Sequence, residues 1–508
     1  MKKIRSKIFA IATVLLMMFA TNVKAATTIT VDNTKEGLTD SGSLYVTNTS
    51  TLTVNNVGTT DTFKAYKILD VYYNQSTNVI TYEFTTDFKA FLNSTTTYKD
   101  LTVDQYYALT SGDITSGSTK TTSTLDQLAS AYAAYIKNNS VTGIDMTVSG
   151  TTATVTAEAG TYLVLPTLTN RVYAVMVGNL DFAAEGTAWN LNTATIVAKV
   201  SDAGIDKSIG SSGYDTGSFI IGREFKNYLT VTVPTYPTNA TNKKYTVVDT
   251  LNVGTTFEGL STISVKVGDT TLTTAANGTI TNSTGNTVAT ATFTDQKLTI
   301  EFNLDYVDST RIEIAYDVEL NDSAVIGSSG NVSSAVLTYS NDPYGTGTVA
   351  TTAVEATAYT YGLELYKYDN ADNTIALEGA VFEIYTDTDL TDKVGTITTN
   401  ANGLVTYKGL KAGTYYLKEI TAPTGYALIR DAITVTLEAD ATKTGTTTAT
   451  AGEGYIRYEV ANAEVGLLPS TGGIGTIIYT VIGLLVVVGS ISLVVVYRAK
   501  KNKENFQV

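Results

Sequence analysis

Short segments in which apolar and polar residues alternate recur through most of this 508-residue chain. A period of two residues places successive side chains on opposite faces of a β-strand, and Val, Thr and Tyr favour strands. Gly, Asn and Asp separate the segments at short intervals, as in β-sandwiches. The pattern predicts a mostly β chain of tandem immunoglobulin-like sandwich domains, with strands in segments such as TLTVNNV, YLTVTVPTY, KLTIEFNLDY and RIEIAYDVEL.

One segment, STLDQLASAYAAYIKNN, has a helical period instead. Thr124 is a candidate N-cap, with Gln127 three residues later. The first domain is therefore expected to be β-rich with inserted helices. The apolar face of this helix is expected to comprise Leu125, Leu128, Tyr132 and Tyr135.

The two ends of the chain have the character of membrane and export signals. Residues 474–497 form an uncharged run of 24 residues, and a helix of that length spans about 36 Å, enough for the ~30 Å hydrocarbon core of a bilayer. The basic tail 498–508 is expected to stay cytoplasmic, so the rest of the chain lies outside. Residues 1–25 have the basic start, apolar centre and small-residue cleavage site of a secretory signal peptide.

Between these ends lies enough chain for about three domains of ~150 residues each. The segment YSNDPYGTGT is a polar, turn-rich boundary. The expected domains are 27–198, 199–352 and 353–465.

Composition excludes several classes of function. A net charge of −14 argues against nucleic-acid binding, which needs a basic face. The chain has no Cys and no His, so it lacks disulfides, soft metal ligands and a Ser-His or Cys-His catalytic pair. We expect no enzymatic turnover, no cofactor and no metal site.

The pentapeptide Leu468-Pro469-Ser470-Thr471-Gly472 lies directly before the apolar run. Pro469 fixes φ and removes a hydrogen-bond donor, which keeps the segment extended and outside the following helix. Together with the apolar span and the basic tail, it resembles the LPxTG sorting signal of sortase substrates. The resemblance implies cleavage between Thr471 and Gly472, transfer to peptidoglycan on a Gram-positive surface, and contact with the membrane only before sorting.

Three segments of the third domain, LELYKYDNADNTIALEGAVFEIY, YYLKEITAPTGYAL and YEVANAEVG, resemble a Cna-B-type domain of Gram-positive pilins. The resemblance implies an intramolecular isopeptide bond between Lys367 and Asn462, promoted by Glu419. The chemistry is consistent with burial, because desolvation favours a neutral, nucleophilic amine. Burial also favours a protonated carboxyl, which can hydrogen-bond the Asn462 carbonyl and polarise it for attack.

The second domain resembles the isopeptide-forming second domain of the same pilins. The resemblance assigns Lys207 in GIDKSIG as the nucleophile, Asp249 in VVDTL as the promoter and Asn341 in TYSNDP as the acceptor. Asn331 has the same strand parity as Asn341 and stays open as a rival acceptor.

The segment TFKAYKILDVYY of the first domain resembles the pilin N-terminal domain. It contains Lys64 and Lys67. The sequence offers no acceptor that pairs clearly with either lysine, so no isopeptide bond is assigned to this domain.

Backbone pilins carry a lysine that receives the threonine of the next subunit, usually in a YPK-like motif between the first two domains. Lys199 lies at that junction, although the Tyr-Pro pair is absent. Lys243 and Lys244, which follow a Tyr-Pro pair within the second domain, are alternatives.

The sequence thus predicts a major (backbone) pilin that sortases polymerise head to tail and anchor to peptidoglycan, with minor pilins as further partners and a supporting role in adhesion. The alternatives are a singly wall-anchored adhesin and a minor or basal pilin.

Overall fold

The structure, a computed structural model, describes residues 27–38, 42–110, 125–237, 240–438, 454–465 and 475–504. The signal peptide expected at 1–25 and the motif expected at 468–472 lie outside these residues. The chain divides into two compact units. The first takes the residues up to Val325 and Gly330–Ala358, and the second takes Ile326–Ser329 and the chain from Tyr359 onward.

The first domain is a β-sandwich with helices packed on one outer face. One sheet has the order β1-β2-β4-β9-β11, and the facing sheet has the order β14-β3-β8-β7. The strands are β1 (Val31–Glu36), β2 (Ser43–Val46), β3 (Thr49–Asn55), β4 (Thr62–Asn74), β5 (Val79–Phe84), β6 (Ile144–Asp145), β7 (Thr147–Ser149), β8 (Thr152–Glu158), β9 (Gly160–Leu168), β10 (Val172–Tyr173), β11 (Met176–Leu180), β12 (Phe182–Glu185), β13 (Ala188–Leu191), β14 (Ala194–Val197) and β15 (Val200–Ser201).

The helices of this domain are α1 (Thr86–Ser94), α2 (Val103–Thr110) and α3 (Leu125–Asn139). The predicted helix is confirmed as α3, and its buried face includes Leu125, Leu128 and Tyr132, whereas Tyr135 is half-buried. The candidate N-cap, Thr124, lies outside the described residues. The helices bury aromatic and aliphatic residues against the sheet and form a second core beside the one between the sheets.

The second domain is a larger sandwich. One sheet has the order β16-β18-β27-β21-β22, and the facing sheet has the order β17-β30-β28-β19-β26-β25-β24-β23. Two short 3-10 helices lie at Leu260–Thr262 and Leu304–Tyr306. The strands are β16 (Gly204–Ile209), β17 (Thr216–Ser218), β18 (Glu224–Thr232), β19 (Tyr245–Thr250), β20 (Thr255–Phe257), β21 (Ser264–Val267), β22 (Thr270–Thr271), β23 (Thr273–Thr274), β24 (Thr279–Thr281), β25 (Thr287–Thr294), β26 (Lys297–Phe302), β27 (Arg311–Leu320), β28 (Asn331–Ser340), β29 (Thr348–Ala350) and β30 (Val354–Tyr359).

Both expected boundaries of the second domain differ from those in the structure. At its start, β15 pairs with β10 of the first domain, and β16 begins only at Gly204. At its end, β30 pairs with β28, so the second domain continues to Ala358 instead of 352. The sequence placed the boundary at a turn-rich segment, but the chain forms one more strand of the same sheet after that turn.

The third domain is a smaller sandwich, with one sheet of order β34-β31-β37 and a facing sheet of order β33-β32-β35-β36. Its strands are β31 (Tyr361–Asp369), β32 (Val381–Tyr385), β33 (Lys393–Thr398), β34 (Leu404–Leu410), β35 (Gly413–Thr421), β36 (Ile433–Leu437) and β37 (Tyr455–Asn462). The prediction of a mostly β chain in tandem domains is confirmed.

The C-terminal helix α4 (Gly475–Glu504) contains a segment, Thr480–Arg498, that is long and apolar enough to cross a membrane. This segment overlaps the predicted span 474–497. The prediction of a C-terminal apolar helix is confirmed.

The segment 341–345, NDPYG, joins the second domain to the first. Tyr344 is buried among the helices of the first domain, and the hydroxyl of Ser130 on α3 donates a hydrogen bond to its hydroxyl at 2.9 Å. The ammonium of Lys137 lies 3.1 Å from the carboxylate of Asp342. A residue of the second domain thus completes the helical core of the first.

We expect Tyr344→Ala to lower the free energy of unfolding by about 3 kcal/mol, because it leaves a cavity where a buried ring packed. Tyr344→Phe keeps the ring and loses only the bond to Ser130, so its cost should be about 1 kcal/mol. Denaturant unfolding of the extracellular chain measures both. Tyr214→Ala, at a largely exposed ring, is the control. Equal effects of Tyr344→Ala and Tyr214→Ala would contradict this role.

Candidate functional site

Strand alternation explains why three polar residues of the third domain face its core. In β31, Lys367 follows Leu363 and Leu365 at intervals of two and shares their buried face. In β35, Glu419 follows Leu417 in the same way, and in β37, Asn462 follows Val460. The two-residue period that buries the aliphatic side chains therefore buries the lysine, the glutamate and the asparagine with them.

The sheet register brings these residues together. The strands β31 and β37 are parallel neighbours in which Lys367 lies opposite Val460 and Asn462 lies opposite Asp369. Lys367 and Asn462 are therefore diagonal neighbours on one face, while Glu419 reaches them from the facing sheet. The exposed fractions of the three residues are 0%, 1% and 1% for Lys367, Asn462 and Glu419. The lysine Nζ donates a hydrogen bond to the Val460 carbonyl at 2.9 Å.

The side-chain amide of Asn462 makes its hydrogen bonds through its nitrogen. Its Nδ2 donates to Oε1 and Oε2 of Glu419 at 3.0 and 3.1 Å and to the Ala427 carbonyl at 3.0 Å. Within the described part of the chain, Oδ1 of Asn462 is buried and accepts no hydrogen bond. The sequence-based interpretation placed Glu419 at the amide carbonyl, whereas the structure places it at the amide nitrogen, which is the leaving group in amide exchange.

Burial lowers the pKa of Lys367 to about 8, and the nearby Glu419 carboxylate opposes part of that shift. An amine with this pKa is neutral in a substantial fraction of molecules near pH 8, although a surface lysine is almost fully charged there. The arrangement therefore combines a nucleophilic amine, an amide and a carboxyl group beside the departing nitrogen.

The second domain contains a comparable buried pair. Lys207 on β16 and Asp249 on β19 face each other across the sandwich, and the Nζ of the lysine donates to Oδ2 of the aspartate. Their side chains are 0% and 1% exposed. The hydroxyl of Tyr316 donates to the same Oδ2 at 2.6 Å. Burial lowers the pKa of Lys207 although Asp249 opposes the shift.

The structure does not bring Asn341 to this pair. Asn341 follows the last residue of β28, and its Nδ2 donates to the Thr169 carbonyl of the first domain at 2.6 Å. Asp249 lies opposite Ala335 on β28. The six positions from Ala335 to Asn341 correspond to about 20 Å along a strand.

Asn331 is buried but engaged elsewhere. Its Oδ1 accepts from the backbone N–H of Val325, and its Nδ2 donates to the carbonyls of Val325 and Ala358. It lies four positions from Ala335, about 14 Å along β28 in the other direction.

Two residues near Lys207 were not singled out from the sequence. Asn227 on β18 is 1% exposed and donates from Nδ2 to the hydroxyl of Tyr316 at 3.1 Å. Strand parity could have found Asn227, because Phe225 and Leu229 are its buried neighbours in EFKNYLTV. Tyr316 was not identifiable, because buried tyrosines are frequent in this chain.

Lys67 of the first domain faces carboxylates and a phenol. Its Nζ donates to the hydroxyl of Tyr45 at 2.8 Å and lies 3.1 Å from Asp70 and 3.4 Å from Glu158. Lys64 forms an ion pair with Asp145. These side-chain contacts are to carboxylates and to one hydroxyl.

Lys199 lies in the link between β14 and β15, and it is exposed. Its backbone carbonyl accepts from Ala174, and in the described residues its ammonium has no hydrogen bond and no ion pair. Lys243 is half-buried in an ion pair with Asp305 at 2.8 Å, and Lys244 is exposed. The sorting residues Leu468, Pro469, Ser470, Thr471 and Gly472 lie outside the described part of the chain.

Two family models match the C-terminal part of the chain. The prealbumin-like fold domain SpaA matches residues 362–451, which include Lys367 and Glu419, and the LPXTG cell wall anchor motif matches residues 462–505. The trypsin-resistant surface T6 protein of Streptococcus pyogenes serotype M6 is 25% identical over 385 residues, which are 60% of this chain and 70% of that protein.

Solved pilins share the fold. The T6 backbone pilin of serotype M6 S. pyogenes has a TM-score of 0.62 at 21% identity and covers 82% of this chain and 99% of its own. The full-length major pilin SpaD from Corynebacterium diphtheriae has a TM-score of 0.54 at 18% identity and covers 83% and 98%. The chain therefore shares the fold of these pilins and contains a prealbumin-like SpaA domain and an LPXTG cell wall anchor motif.

Proposed function

We propose that this chain is a structural pilin subunit that forms the repeating shaft of a sortase-assembled pilus, and that an amide between Lys367 and Asn462 locks its third domain. The observation that carries the second part is the fully buried set of Lys367, Asn462 and Glu419. A buried lysine without a charge partner in contact is costly, and amide formation removes that charge permanently.

The bond forms without a cofactor. The ammonium of Lys367 loses a proton to Glu419, and the neutral amine attacks Cγ of Asn462. The new Nζ–Cγ bond replaces the Cγ–Nδ2 bond, and the Glu419 acid beside Nδ2 gives its proton to the departing nitrogen. Glu419 then takes the second proton from the attacking nitrogen, so that ammonia leaves and Glu419 ends as a carboxylic acid. Each molecule reacts once, so we propose that the chain is a self-modifying structural protein without turnover.

The first part of the proposal concerns assembly. A sortase cleaves after Thr471 and transfers its carbonyl to a lysine of the next subunit, with Lys199 as the acceptor. Lys199 suits this role because its side chain is exposed and, in the described residues, its ammonium makes no hydrogen bond or ion pair. It lies in the link between β14 and β15, shortly before the second domain begins at Gly204. Repeated transfer to one fixed lysine is a head-to-tail contact that does not close, so it produces a filament.

The partners that follow are pilin-specific and housekeeping sortases, further copies of this chain, minor pilins and, for the basal copy, peptidoglycan. Adhesion is supported by the filament as a whole. The alternative is a subunit that is anchored singly or at the base, with Thr471 joined to peptidoglycan directly.

We expect Glu419→Ala to keep the ammonia that the wild type loses, because the proton acceptor and donor is gone. Lys367 and Asn462 are 95 positions apart, so in the chain-entropy model the missing bond costs about 4–5 kcal/mol of stability. Intact-protein mass spectrometry and thermal unfolding measure the two effects. Glu378→Ala, at an exposed site of the same domain, is the control. Loss of ammonia in Glu419→Ala, after the mass difference of the substitution is allowed for, would remove Glu419 from the mechanism.

The pH dependence of stability separates a free amine from an amide. In Asn462→Ala, Lys367 stays a buried amine with a pKa near 8, against a usual value of 10.5. Between these values the unfolded chain binds more protons than the folded one, so the stability of the variant should rise with pH across this window and lose that gain as pH falls to 8. In the bonded wild type, Lys367 is part of an amide and does not titrate, so it contributes no such pH dependence.

Denaturant unfolding of both proteins at several pH values between 7 and 10.5 provides the measurement. The expected result is a stability difference that shrinks as pH rises. A difference that stays constant would mean that the wild type also holds a free Lys367 amine.

Polymerisation is tested in cell-wall extracts on a denaturing gel. We expect the wild type to give a high-molecular-weight ladder, and Lys199→Ala to give a wall-anchored monomer. Lys243→Ala and Lys244→Ala are matched controls that should keep the ladder. Thr471→Ala should lose both the ladder and wall attachment. A ladder in Lys199→Ala would place the acceptor elsewhere, and a wild type without a ladder would favour single anchoring.

A further inference from the structure

We propose that Lys207 of the second domain forms its amide with Asn227 on the adjacent strand β18. The inference rests on the proposed amide chemistry of the third domain and extends it to an acceptor that the sequence did not suggest. It follows from a closed, buried cluster of four polar side chains. Its members are Lys207, Asn227, Asp249 and Tyr316.

The strand register places Lys207 and Asn227 as diagonal neighbours. The strands β16 and β18 are antiparallel. Lys207 lies opposite Leu229, and Asn227 lies two positions before Leu229 on β18. Both side chains face the core between Ile209, Leu229 and their neighbours. Lys367 and Asn462 have the same relation, since the asparagine lies two positions from the residue opposite the lysine. In both domains the carboxylate comes from the facing sheet.

A continuous hydrogen-bond path connects the groups that must exchange protons. Lys207 Nζ donates to Oδ2 of Asp249, the Tyr316 hydroxyl donates to the same oxygen at 2.6 Å, and Asn227 Nδ2 donates to that hydroxyl at 3.1 Å. Tyr316 also lies directly opposite Asn227 on β27. The path therefore begins at the nucleophile and ends at the leaving nitrogen.

Two buried oxygen atoms of the cluster lack partners within the described residues. These are Oδ1 of Asn227 and Oδ1 of Asp249. Buried polar atoms are nearly always hydrogen-bonded, so a buried oxygen without a hydrogen-bond partner needs a structural explanation. In the bonded product, Asp249 is a carboxylic acid, and it can donate a hydrogen bond to the amide oxygen that was Oδ1 of Asn227. That one hydrogen bond would involve both of the groups whose Oδ1 atoms lack partners.

The reaction balances within the cluster. Lys207 transfers a proton to Asp249, and its neutral amine attacks Cγ of Asn227. The Cγ–Nδ2 bond breaks as the Nζ–Cγ bond forms, and the departing nitrogen takes a proton through Tyr316 while the attacking nitrogen gives one up. Ammonia leaves, and Asp249 retains the proton that came from the lysine.

The rival acceptors are engaged away from Lys207. Asn331 binds the backbone of Val325 and Ala358 with both ends of its amide, and Asn341 binds Thr169 of the first domain. Asn331 lies four residues before Ala335 on β28, and Asn341 lies six residues after it, just beyond the end of the strand. Ala335 is the residue opposite Asp249.

Tryptic peptide mapping of the denatured wild-type protein tests the inference without any variant. Cleavage after Lys199, Arg223, Lys226 and Lys243 releases the segments 200–223 and 227–243. An amide at Lys207 blocks cleavage there, so the expected product is 200–223 joined to 227–243, lighter than their sum by one ammonia.

Two results would overturn the assignment. Cleavage after Lys207, which yields 200–207 and 208–223, would mean that the lysine is free. A link from 200–223 to the segment that begins at Ile312 would place the acceptor at Asn331 or Asn341. The same digest reports the link between Lys367 and Asn462, so the inference can fail while the proposed bond of the third domain stands.

Variants refine the result. Asn227→Leu should restore cleavage after Lys207, and Asn341→Ala should leave the linked pair intact. Tyr316→Phe should lower the linked fraction while Asn227 is still present, because the proton path to Nδ2 is broken. Complete linkage in Tyr316→Phe would exclude the tyrosine relay, and linkage in Asn227→Leu would exclude the acceptor.

Discussion

A lysine that faces the core of a sandwich is the interaction around which the second and third domains are organised. Transfer of an ammonium into an apolar interior is strongly unfavourable unless the charge is paired or lost. In both domains the facing sheet supplies a carboxylate at that level, Asp249 for Lys207 and Glu419 for Lys367. Asp249 forms an ion pair with Lys207, whereas in the described residues Glu419 makes no ion pair with Lys367 and contacts Asn462 instead. In both domains burial lowers the pKa of the lysine toward the neutral amine that the proposed bond requires.

In the first domain, ion pairs stabilise the charge of a lysine that is only partly exposed. Lys67 keeps a partly exposed ammonium between Asp70 and Glu158, with Tyr45 as a third partner. Two carboxylates and partial access to water stabilise the charge of Lys67. The contacts of this domain with the second domain include the packing of Tyr344 among its helices and the hydrogen bond from Asn341 to the Thr169 carbonyl.

The three residues of the third-domain site could be predicted from the sequence because each is identified by the pattern of its own strand. Parity within one strand decides whether a side chain faces the core, and Leu365-Tyr366-Lys367 or Val460-Ala461-Asn462 can be interpreted directly. The acceptor in the second domain could not be found in this way. Parity allows Asn227, Asn331 and Asn341 equally, and the choice depends on strand order and register, which place only Asn227 beside Lys207. The boundary at 352 failed for the same reason, since pairing of β30 with β28 is a long-range contact.

The two proposed amides would differ in how they carry tension along the proposed filament. If the next subunit is joined at Lys199 and the chain leaves at Thr471, force passes along the covalent chain through the second and third domains, and the first domain lies outside that path. In the third domain, β31 is the first strand and β37 the last. A link between Lys367 and Asn462 therefore carries the load directly and shields the 94 residues between them. A link between Lys207 and Asn227 closes only the short segment between β16 and β18, and the load still passes through β18 to β30. Single subunits stretched between Lys199 and the C-terminus should therefore extend through the second domain while the third stays folded.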